Sequence, residues 1–258
     1  MFITKYLQYL ASKALPDRFY CEDALITTHT HSFTKDTDFV RAYSVGLQFT
    51  GGRDPGNRWR INTAIWAAKQ AMTVPGDFVE CGVNYGQTSA AIMEALSWTD
   101  TAERTFWLVD SFHGLDPRLA KSDSASGHYS KYSKATSTGF YNTDFESTRN
   151  AFGRCFPRTQ VVKGWVPDCL QESAPAKGVA FLHLDLNSPE AEVAAFQHYR
   201  ARMPVGSIVL LDDFAYTGHE NIHRVWSKFA SEAGLNILAL PTGQGLLLTS
   251  KMKEELRK

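Results

Sequence analysis

The chain has 258 residues, of which 43% are hydrophobic and 21% are charged, and these fractions are ordinary for a globular domain. Such a composition supplies a full hydrophobic core and excludes general disorder. Lysine plus arginine number 27 and aspartate plus glutamate also number 27, so the formal net charge is zero. A neutral chain has no electrostatic footprint for nucleic acid, and we expect no nucleic-acid partner.

The cysteines and the apolar runs narrow the class of protein further. Four cysteines are scattered without a Cys-x-x-Cys pair, which argues against a disulfide framework and a cysteine zinc site. Free thiols suit a reducing cytosol, so we expect a cytoplasmic protein. No apolar run approaches the roughly 20 residues of a membrane span. The N-terminal segment MFITKYLQYLASKAL is predicted to be an amphipathic helix packed on the body.

Residues 1–73 are predicted to form a helical N-terminal extension, in which apolar side chains recur at helical spacing over 57–72. Pro75 and Gly76 interrupt the chain, and residues 74–258 are predicted to form the main domain. Short apolar runs alternate there with helical segments. Strands are predicted over 77–83, 105–110, 159–164, 178–185 and 206–213, and helices over 88–98, from Ser188 and Pro189 onward, and over 219–234.

Strands that alternate with helices predict an α/β fold with a mostly parallel sheet covered on both faces. Residues 236–250 are predicted to add an antiparallel hairpin at the C-terminal end. Residues 120–143 are rich in Ser, Lys, Tyr and Gly and are long for a connection, so this segment is predicted to be a lid loop.

Ligands of open α/β sheets bind beyond the carboxyl ends of the strands, so the residues at the strand exits are the first candidates. The first strand is followed by two glycines, Gly82 and Gly86, which allow the backbone to approach a ligand closely. The turn is not Gly-x-Gly-x-x-Gly, so the dinucleotide fingerprint is absent. A turn tightened only for helix–strand packing is the alternative.

The second predicted strand ends at Asp110, about one strand–helix unit after the glycine turn. A carboxylate at this place can accept hydrogen bonds from the two hydroxyls of a ribose. The alternative is a helix cap or a surface acid. The spacing of the glycine turn and the acid favours an adenosine-containing cofactor.

Three acids follow the fourth and fifth predicted strands: Asp185, Asp212 and Asp213. If these exits are adjacent, the three carboxylates repel unless a cation or a proton separates them. A hard divalent ion with oxygen ligands, most often Mg²⁺, suits such a set. Helix capping by Asp212 or Asp213, and binding of loop amides by Asp185, are the alternatives.

Other polar residues are weaker candidates. His113 and His219 lie on exit loops and are candidates for substrate contact, whereas His183 lies inside a buried strand and is predicted to be a satisfied core histidine. The sequence cannot place the N-terminal extension relative to the site, so three of its residues are equal candidates to reach it: Arg41, Tyr43 and Arg60. Tyrosines of the predicted lid are candidate platforms for stacking a sugar: Tyr129, Tyr132 and Tyr141.

Several of these runs together resemble a known family. DFVECGVNYGQTS, FWLVDSFHGL, KGWVPDCL, LHLDLNSPE and SIVLLDDF are similar to the macrocin/mycinamicin-type O-methyltransferases, which are class I S-adenosylmethionine (SAM) methyltransferases acting on sugar hydroxyls. WRINTAIWAAKQA and LPTGQGLLL resemble relatives from polysaccharide biosynthesis. The similarity runs from about Trp59 to Thr249. It implies a Rossmann-like class I methyltransferase fold, with a mostly parallel seven-stranded sheet and a C-terminal antiparallel hairpin.

The resemblance also implies roles for residues. The expected SAM-binding residues are Glu80, Gly82, Gly86, Thr88, Asp110, Ser111, Gly164 and Trp165. Asp185, Asp212 and Asp213 are the expected Mg²⁺ ligands, and Asp185 is also the expected catalytic base. One departure matters: macrolide-type members usually carry Asp-Gly-Asp after the fourth strand, and here the sequence is Asp185-Leu186-Asn187.

The function expected from these residues is Mg²⁺-assisted O-methylation of a sugar, a glycan or a glycosylated metabolite by SAM. A methyltransferase for a catechol or another small molecule, and a non-catalytic SAM-binding subunit, are the alternatives. A nucleotide-binding oxidoreductase is disfavoured, because the Gly-x-Gly-x-x-Gly motif is missing and two adjacent acids follow the fifth strand. The N-terminal helices are expected to cover the active site, to form a homodimer contact, or both.

Overall fold

The computed structural model describes residues 19–100, 103–118 and 139–250, and the isolated positions 10 and 14. Most of the predicted N-terminal helix and most of the predicted lid, with Tyr129 and Tyr132, lie outside these residues. The helices in the described part are too short or too polar to cross a membrane.

A seven-stranded sheet organises the main domain. In chain order its strands are β3 (Asp77–Cys81), β4 (Phe106–Asp110), β5 (Thr159–Lys163), β6 (Val179–Leu184), β7 (Ile208–Leu211), β8 (Leu238–Ala239) and β9 (Gly245–Leu248). Their order across the sheet is β5-β4-β3-β6-β7-β9-β8. The first five pair in parallel, and β9 pairs antiparallel with both β7 and β8. The predicted parallel sheet and C-terminal hairpin are therefore confirmed.

Six α-helices in the described ranges flank the sheet. They are α1 (Thr37–Phe49), α2 (Arg58–Ala71), α3 (Gln87–Ala95), α4 (Phe145–Cys155), α5 (Pro189–Arg200) and α6 (Glu220–Ala233). Local chemistry sets several ends. The Asp36 carboxylate accepts from the first-turn amides of α1, and Gly234 ends α6 with a left-handed φ of 66°. Ser188 is the N-cap residue of α5 as predicted, but its hydroxyl makes no capping hydrogen bond.

The central strands carry two cores, one on each face of the sheet. Every residue of β3, β6 and β7 is buried, as expected for parallel strands covered on both faces. Alternate side chains such as Phe78 and Phe181 pack under α1, α2, α3 and α4. Their neighbours Val79 and Leu182 pack under α5 and α6. These cores hold all the strand exits at one edge of the sheet.

The N-terminal extension differs from the predicted helices and irregular chain in one element. Residues 20–27 form an antiparallel pair, β1 (Tyr20–Glu22) and β2 (Leu25–Thr27). Their turn is made by Asp23 and Ala24, which have positive φ values of 50° and 63°. Two-residue hairpin turns favour Asn-Gly or Asp-Gly, and Ala24 stands here where glycine is usual, so the sequence carries only a weak hairpin signal. The pair matters for function because it brings Asp23 to the carboxyl edge of the sheet.

Candidate active site

A cavity of about 550 Å³ opens at the carboxyl edge of the parallel strands. The side chains around it come from the exits of β3 to β7 and from the N-terminal extension. Predicted site residues that line it are Glu80, Gly82, Thr88, Asp110, Ser111, Gly164, Trp165, Asp185, Asp212, Asp213 and His219. Tyr141, at the end of the predicted lid, also lines the cavity.

Two predicted residues lie elsewhere. Gly86 is the N-cap residue of α3, where its φ is 89° and a Cβ would lie 2.5 Å from the Phe152 ring. Its glycine is therefore required for packing, and a cofactor contact stays a prediction. The exposed His113 is outside the cavity wall, with Nδ1 2.9 Å from the Ser111 carbonyl oxygen and its ring 6.0 Å from that of Trp165.

The exits of β3 and β6 meet at Gly82. This residue has a φ of 91°, and a Cβ on it would lie 1.9 Å from the backbone oxygen of Asp185. The amide of Asp185 donates to the Cys81 carbonyl at 2.9 Å, which joins the same two exits. Only glycine permits this approach, because any side chain would push the Asp185 backbone away from the cavity.

We expect Gly82→Ala to destabilise the fold more than Gly218→Ala does. The two glycines share nearly the same φ, 91° and 90°, but the added Cβ at Gly218 would meet nothing within 4 Å. Gly218→Ala should therefore cost only the left-handed strain of about 1–2 kcal/mol. Gly82→Ala should cost about 2 kcal/mol more, because backbone must move. Urea unfolding measures the free energy of unfolding of both variants. Equal losses in the two would show that the close approach to the Asp185 backbone adds no cost to the substitution at Gly82.

Asp110 organises the loop that begins at the glycine turn. Its carboxylate accepts from the backbone amides of Val83 at 2.7 Å, Asn84 at 2.8 Å and Phe112 at 2.7 Å. Burial raises the pKa of Asp110, and these three amide hydrogen bonds oppose the rise. A carboxylate has further acceptor positions, so the predicted contact with a ribose stays open. The sequence did not predict that this carboxylate also holds the loop after β3 and the loop after β4.

Glu80, in the wall of the cavity, belongs to a buried hydrogen-bonded pair. Its Oε1 is 2.7 Å from His183 Nδ1, and the Ser89 hydroxyl donates to its Oε2. Burial raises the pKa of Glu80, while His183 lowers it. Both oxygens of Glu80 are thus bonded inside the protein, and its direct contact with a cofactor stays a prediction.

His183 links this pair to the acids of the neighbouring exits. Its Nε2 lies 3.4 Å from Asp212 Oδ1. Burial lowers the pKa of His183, but Asp212 and Glu80 on either side raise it to about 10. The predicted core histidine therefore lies buried between two carboxylates, which favour its protonated form.

The three predicted acids come together, and Arg60 lies among them. Asp185 follows β6, and Asp212 and Asp213 follow β7. Arg60 Nη2 donates to the backbone oxygen of Asp212 at 2.8 Å, to the Asp212 carboxylate, and to Asp213 Oδ1 at 2.9 Å. Its Nη1 lies 3.5 Å from Asp23 Oδ2. We call Asp23, Arg60, Asp185, Asp212 and Asp213 the carboxylate cluster.

Electrostatics separates the acids of this cluster. Burial alone would raise the pKa of Asp212, but Arg60 and His183 outweigh burial and hold it below the ordinary value. Burial and the charges of Asp212 and Asp213 raise the pKa of Asp185 well above its ordinary value. The pKa values of Asp185 and Asp212 are thus shifted in opposite directions.

The cluster as described does not fit the predicted divalent ion. Both oxygens of Asp212 are bonded, one to Arg60 and the other to Gln244 Nε2 at 2.8 Å. One oxygen of Asp213 is also bonded to Arg60. Within residues 19–100, 103–118 and 139–250, no group of three or more His, Cys, Asp or Glu side chains is arranged to hold a metal ion. The expected Mg²⁺ site therefore finds no support here.

The departure at Asn187 also has a local partner. Its Oδ1 lies 3.0 Å from His219 Nε2, and its Nδ2 donates to Asp185 Oδ1 at 3.4 Å. His219, predicted to contact substrate, lies 3.7 Å from Asp213 Oδ2 through the same nitrogen. The Asn187 amide therefore connects His219 to the predicted base, Asp185.

Comparison with known proteins agrees with this architecture. Residues 57–238 match the family model described as macrocin O-methyltransferase. Mycinamicin III 3''-O-methyltransferase of Micromonospora griseorubida is 26% identical over 60% of this chain and 62% of its own length. The 8-demethyl-8-(2,3-dimethoxy-alpha-L-rhamnosyl)-tetracenomycin-C 4'-O-methyltransferase of Streptomyces olivaceus is 28% identical over 55% of this chain. That match covers 54% of the Streptomyces enzyme, so the alignments span little more than half of these relatives.

A solved structure supports the fold independently. The O-methyltransferase NovP superposes with a TM-score of 0.62 at 20% identity, covering 80% of this chain and 88% of NovP. The sheet order, the common edge of the strand exits and the residues matched by the family model all indicate the same fold. The chain belongs to the macrocin O-methyltransferase family and has the class I methyltransferase fold.

Proposed function

We propose that this chain is a SAM-dependent O-methyltransferase that acts on a hydroxyl of a sugar, a glycan or a glycosylated metabolite. One observation carries the proposal: a single cavity is lined by the glycine turn with Asp110 and by Asp185 of the carboxylate cluster. A cofactor and an acceptor hydroxyl can therefore meet in it. Two family relatives are named for transfer to oxygen, and one of these names contains a rhamnosyl group.

On the cofactor side, the proposal assigns SAM to the wall formed by Gly82, Asp110, Ser111, Gly164 and Trp165. The amide of Gly164 donates to the Asp110 carbonyl at 2.9 Å, so β5 and β4 present this wall together. Trp165 supplies an aromatic surface for the adenine. SAM supplies a methyl group on a sulfonium, which leaves as a thioether after transfer.

On the acceptor side, Asp185 is the proposed base. Positioning of the acceptor hydroxyl beside the bound cofactor would supply much of the rate. As the oxygen–carbon bond forms and the carbon–sulfur bond breaks, the hydroxyl proton passes to Asp185. The products are a methyl ether, S-adenosylhomocysteine and a proton, which Asp185 returns to solvent.

Assistance by Mg²⁺ remains a prediction from the sequence, and no step above requires it. The bonded oxygens of Asp212 and Asp213 give it no support. A cytoplasmic location, a homodimer and a place in polysaccharide biosynthesis likewise remain predictions.

Calorimetric titration tests the cofactor assignment. We expect SAM and S-adenosylhomocysteine to bind in the micromolar range and NAD not to bind, each measured with Mg²⁺ and with EDTA. Rhamnosides, other glycosides and catechol are then screened as acceptors, with release of S-adenosylhomocysteine as the measured signal. We expect turnover with glycosides alone. Absence of adenosyl binding in both conditions would overturn the proposal. Preference for catechol would be consistent with a SAM-dependent methyltransferase but would contradict the proposed sugar acceptor.

A further inference from the structure

The observation that leads further is the placement of Arg60. This residue stands in the first turn of α2, and its side chain is only 13% exposed. Three carboxylates surround its guanidinium: Asp23 from the β1–β2 turn, and Asp212 and Asp213 from the exit of β7. The Tyr216 ring packs against one face with its centroid 4.8 Å from Arg60 Cζ. Parts of the chain that are far apart in sequence thus converge on one cation.

The surroundings of Arg60 are themselves fixed by hydrogen bonds. The Tyr216 hydroxyl donates to Asp23 Oδ1 at 2.7 Å, and Gln244 Nε2 donates to Asp212 Oδ1 at 2.8 Å. The same Gln244 nitrogen lies 3.4 Å from the backbone oxygen of Arg60. A planar guanidinium with five donors suits several carboxylates at once. The position of the Arg60 guanidinium in the cluster is therefore fixed by its partners.

The need for a cation explains this construction. Buried carboxylates that lie close together repel one another, and leaving such charges unpaired is costly. A divalent ion is one solution and requires several free oxygen ligands at short range. Both carboxylate oxygens of Asp212 and one of Asp213 are bonded to Arg60 or Gln244. One set of oxygens cannot serve both cations in full.

We propose that Arg60 is the resident cation of the carboxylate cluster, taking the place predicted for Mg²⁺, so that the site works without a divalent ion. Arg60 is then a positioning residue: it holds Asp212 and Asp213 and leaves Asp185 to face the acceptor. The inference rests on the proposed function only in treating the cluster as the acceptor side of the cavity.

Metal binding by the wild-type protein is the first test. Mn²⁺, a paramagnetic substitute for Mg²⁺, is titrated against the full chain and free Mn²⁺ is followed by electron paramagnetic resonance. We expect no saturable binding up to millimolar concentration, and turnover in EDTA equal to turnover in Mg²⁺. A stoichiometric Mn²⁺ site, or activity lost in EDTA and restored by Mg²⁺, would overturn the proposal. SAM titration in EDTA reports on the proposed function separately, because it needs neither metal nor acceptor.

Variants at Arg60 test the claim from the other side. Arg60→Gln empties the cation position, so we expect it to lower Tm and to gain Mn²⁺ binding that partly restores Tm. Arg60→Lys keeps a charge and should bind Mn²⁺ more weakly than Arg60→Gln does. Arg104→Gln is the matched control, because Arg104 is also partly buried but donates to the carbonyl oxygens of Gly76 and Met72. It should lower Tm without gaining Mn²⁺ binding.

Each outcome at Arg60 has a consequence. A folded Arg60→Gln variant that gains no Mn²⁺ binding would overturn the idea that the guanidinium occupies a cation site. Equal gains in Arg60→Gln and Arg104→Gln would do the same, because loosening of the fold would then explain the binding. If Arg60→Gln does not fold, the Mn²⁺ titration of the wild-type protein decides alone.

Discussion

Asp185→Asn is expected to lower kcat by about a thousandfold while leaving SAM affinity nearly unchanged. General base catalysis of this kind typically contributes a hundredfold to ten-thousandfold, and an amide cannot accept the proton of the acceptor hydroxyl. The substitution keeps the size of the side chain, and asparagine can still make the contact with Asn187 that Asp185 makes at 3.4 Å. Initial rates with a glycoside acceptor measure kcat, and calorimetry measures SAM binding.

Asp144→Asn is the matched control for this prediction. Asp144 accepts from the Ser147 amide at 2.9 Å and caps α4, a task that asparagine performs equally well. We expect its kcat and SAM affinity to equal those of the wild type. Full activity of Asp185→Asn would remove Asp185 as the base. A parallel loss of SAM affinity would instead show that Asp185 shapes the cofactor pocket.

The sheet and the strand exits could be predicted from the sequence because their signals are local. The central strands are short continuous apolar runs that end at glycine or aspartate, such as Gly82, Asp110 and Asp185. Parallel strands place all these ends at one edge, so residues far apart in sequence could be assigned to one cavity. The predicted strand over 77–83 was two residues too long, because Gly82 already leaves the strand with a φ of 91°.

The cation of the cluster could not be placed in this way. Arg60 and Asp212 are 152 positions apart in the chain, and the Asp23-Ala24 turn of the hairpin that delivers Asp23 lacks the usual glycine. The only available signal was indirect: three clustered acids require a positive partner. The sequence argument took Mg²⁺ as that partner, whereas the described residues supply a guanidinium.

The role of Asp110 in holding the two loops could not be predicted either. Any residue except proline has a backbone amide that can donate, so the sequence does not show which amides bind this carboxylate. The strand end predicted a contact with ribose from the residue type alone. The geometry adds three amide donors from two loops, two of which, Asn84 and Phe112, have positive φ values of 51° and 52°. Backbone of that kind persists only where its surroundings hold it.

Asp110→Ala is therefore expected to weaken SAM binding by about a hundredfold or more and to destabilise the fold by about 3 kcal/mol. Leaving a buried amide without its acceptor costs roughly 1–3 kcal/mol, and here the amides of Val83, Asn84 and Phe112 all lose their partner. The glycine turn and the loop after β4 should then lose their fixed conformations together. Calorimetry with S-adenosylhomocysteine and urea unfolding measure the two effects.

Asp36→Ala is the control that distinguishes loss of the loop conformation at Asp110 from a general loss of stability. The Asp36 carboxylate also accepts from two backbone amides, those of Asp38 and Phe39, but at the start of α1 and away from the cavity wall. Asp36→Ala should cost about 1 kcal/mol as a lost helix cap and leave SAM affinity unchanged. Asp110→Asn should fall between Asp110→Ala and wild type, since one carbonyl oxygen can still serve Val83 and Asn84 but not Phe112 as well. Unchanged SAM affinity in Asp110→Ala would remove Asp110 from cofactor binding, and unchanged stability would show that the loops keep their shape without this carboxylate.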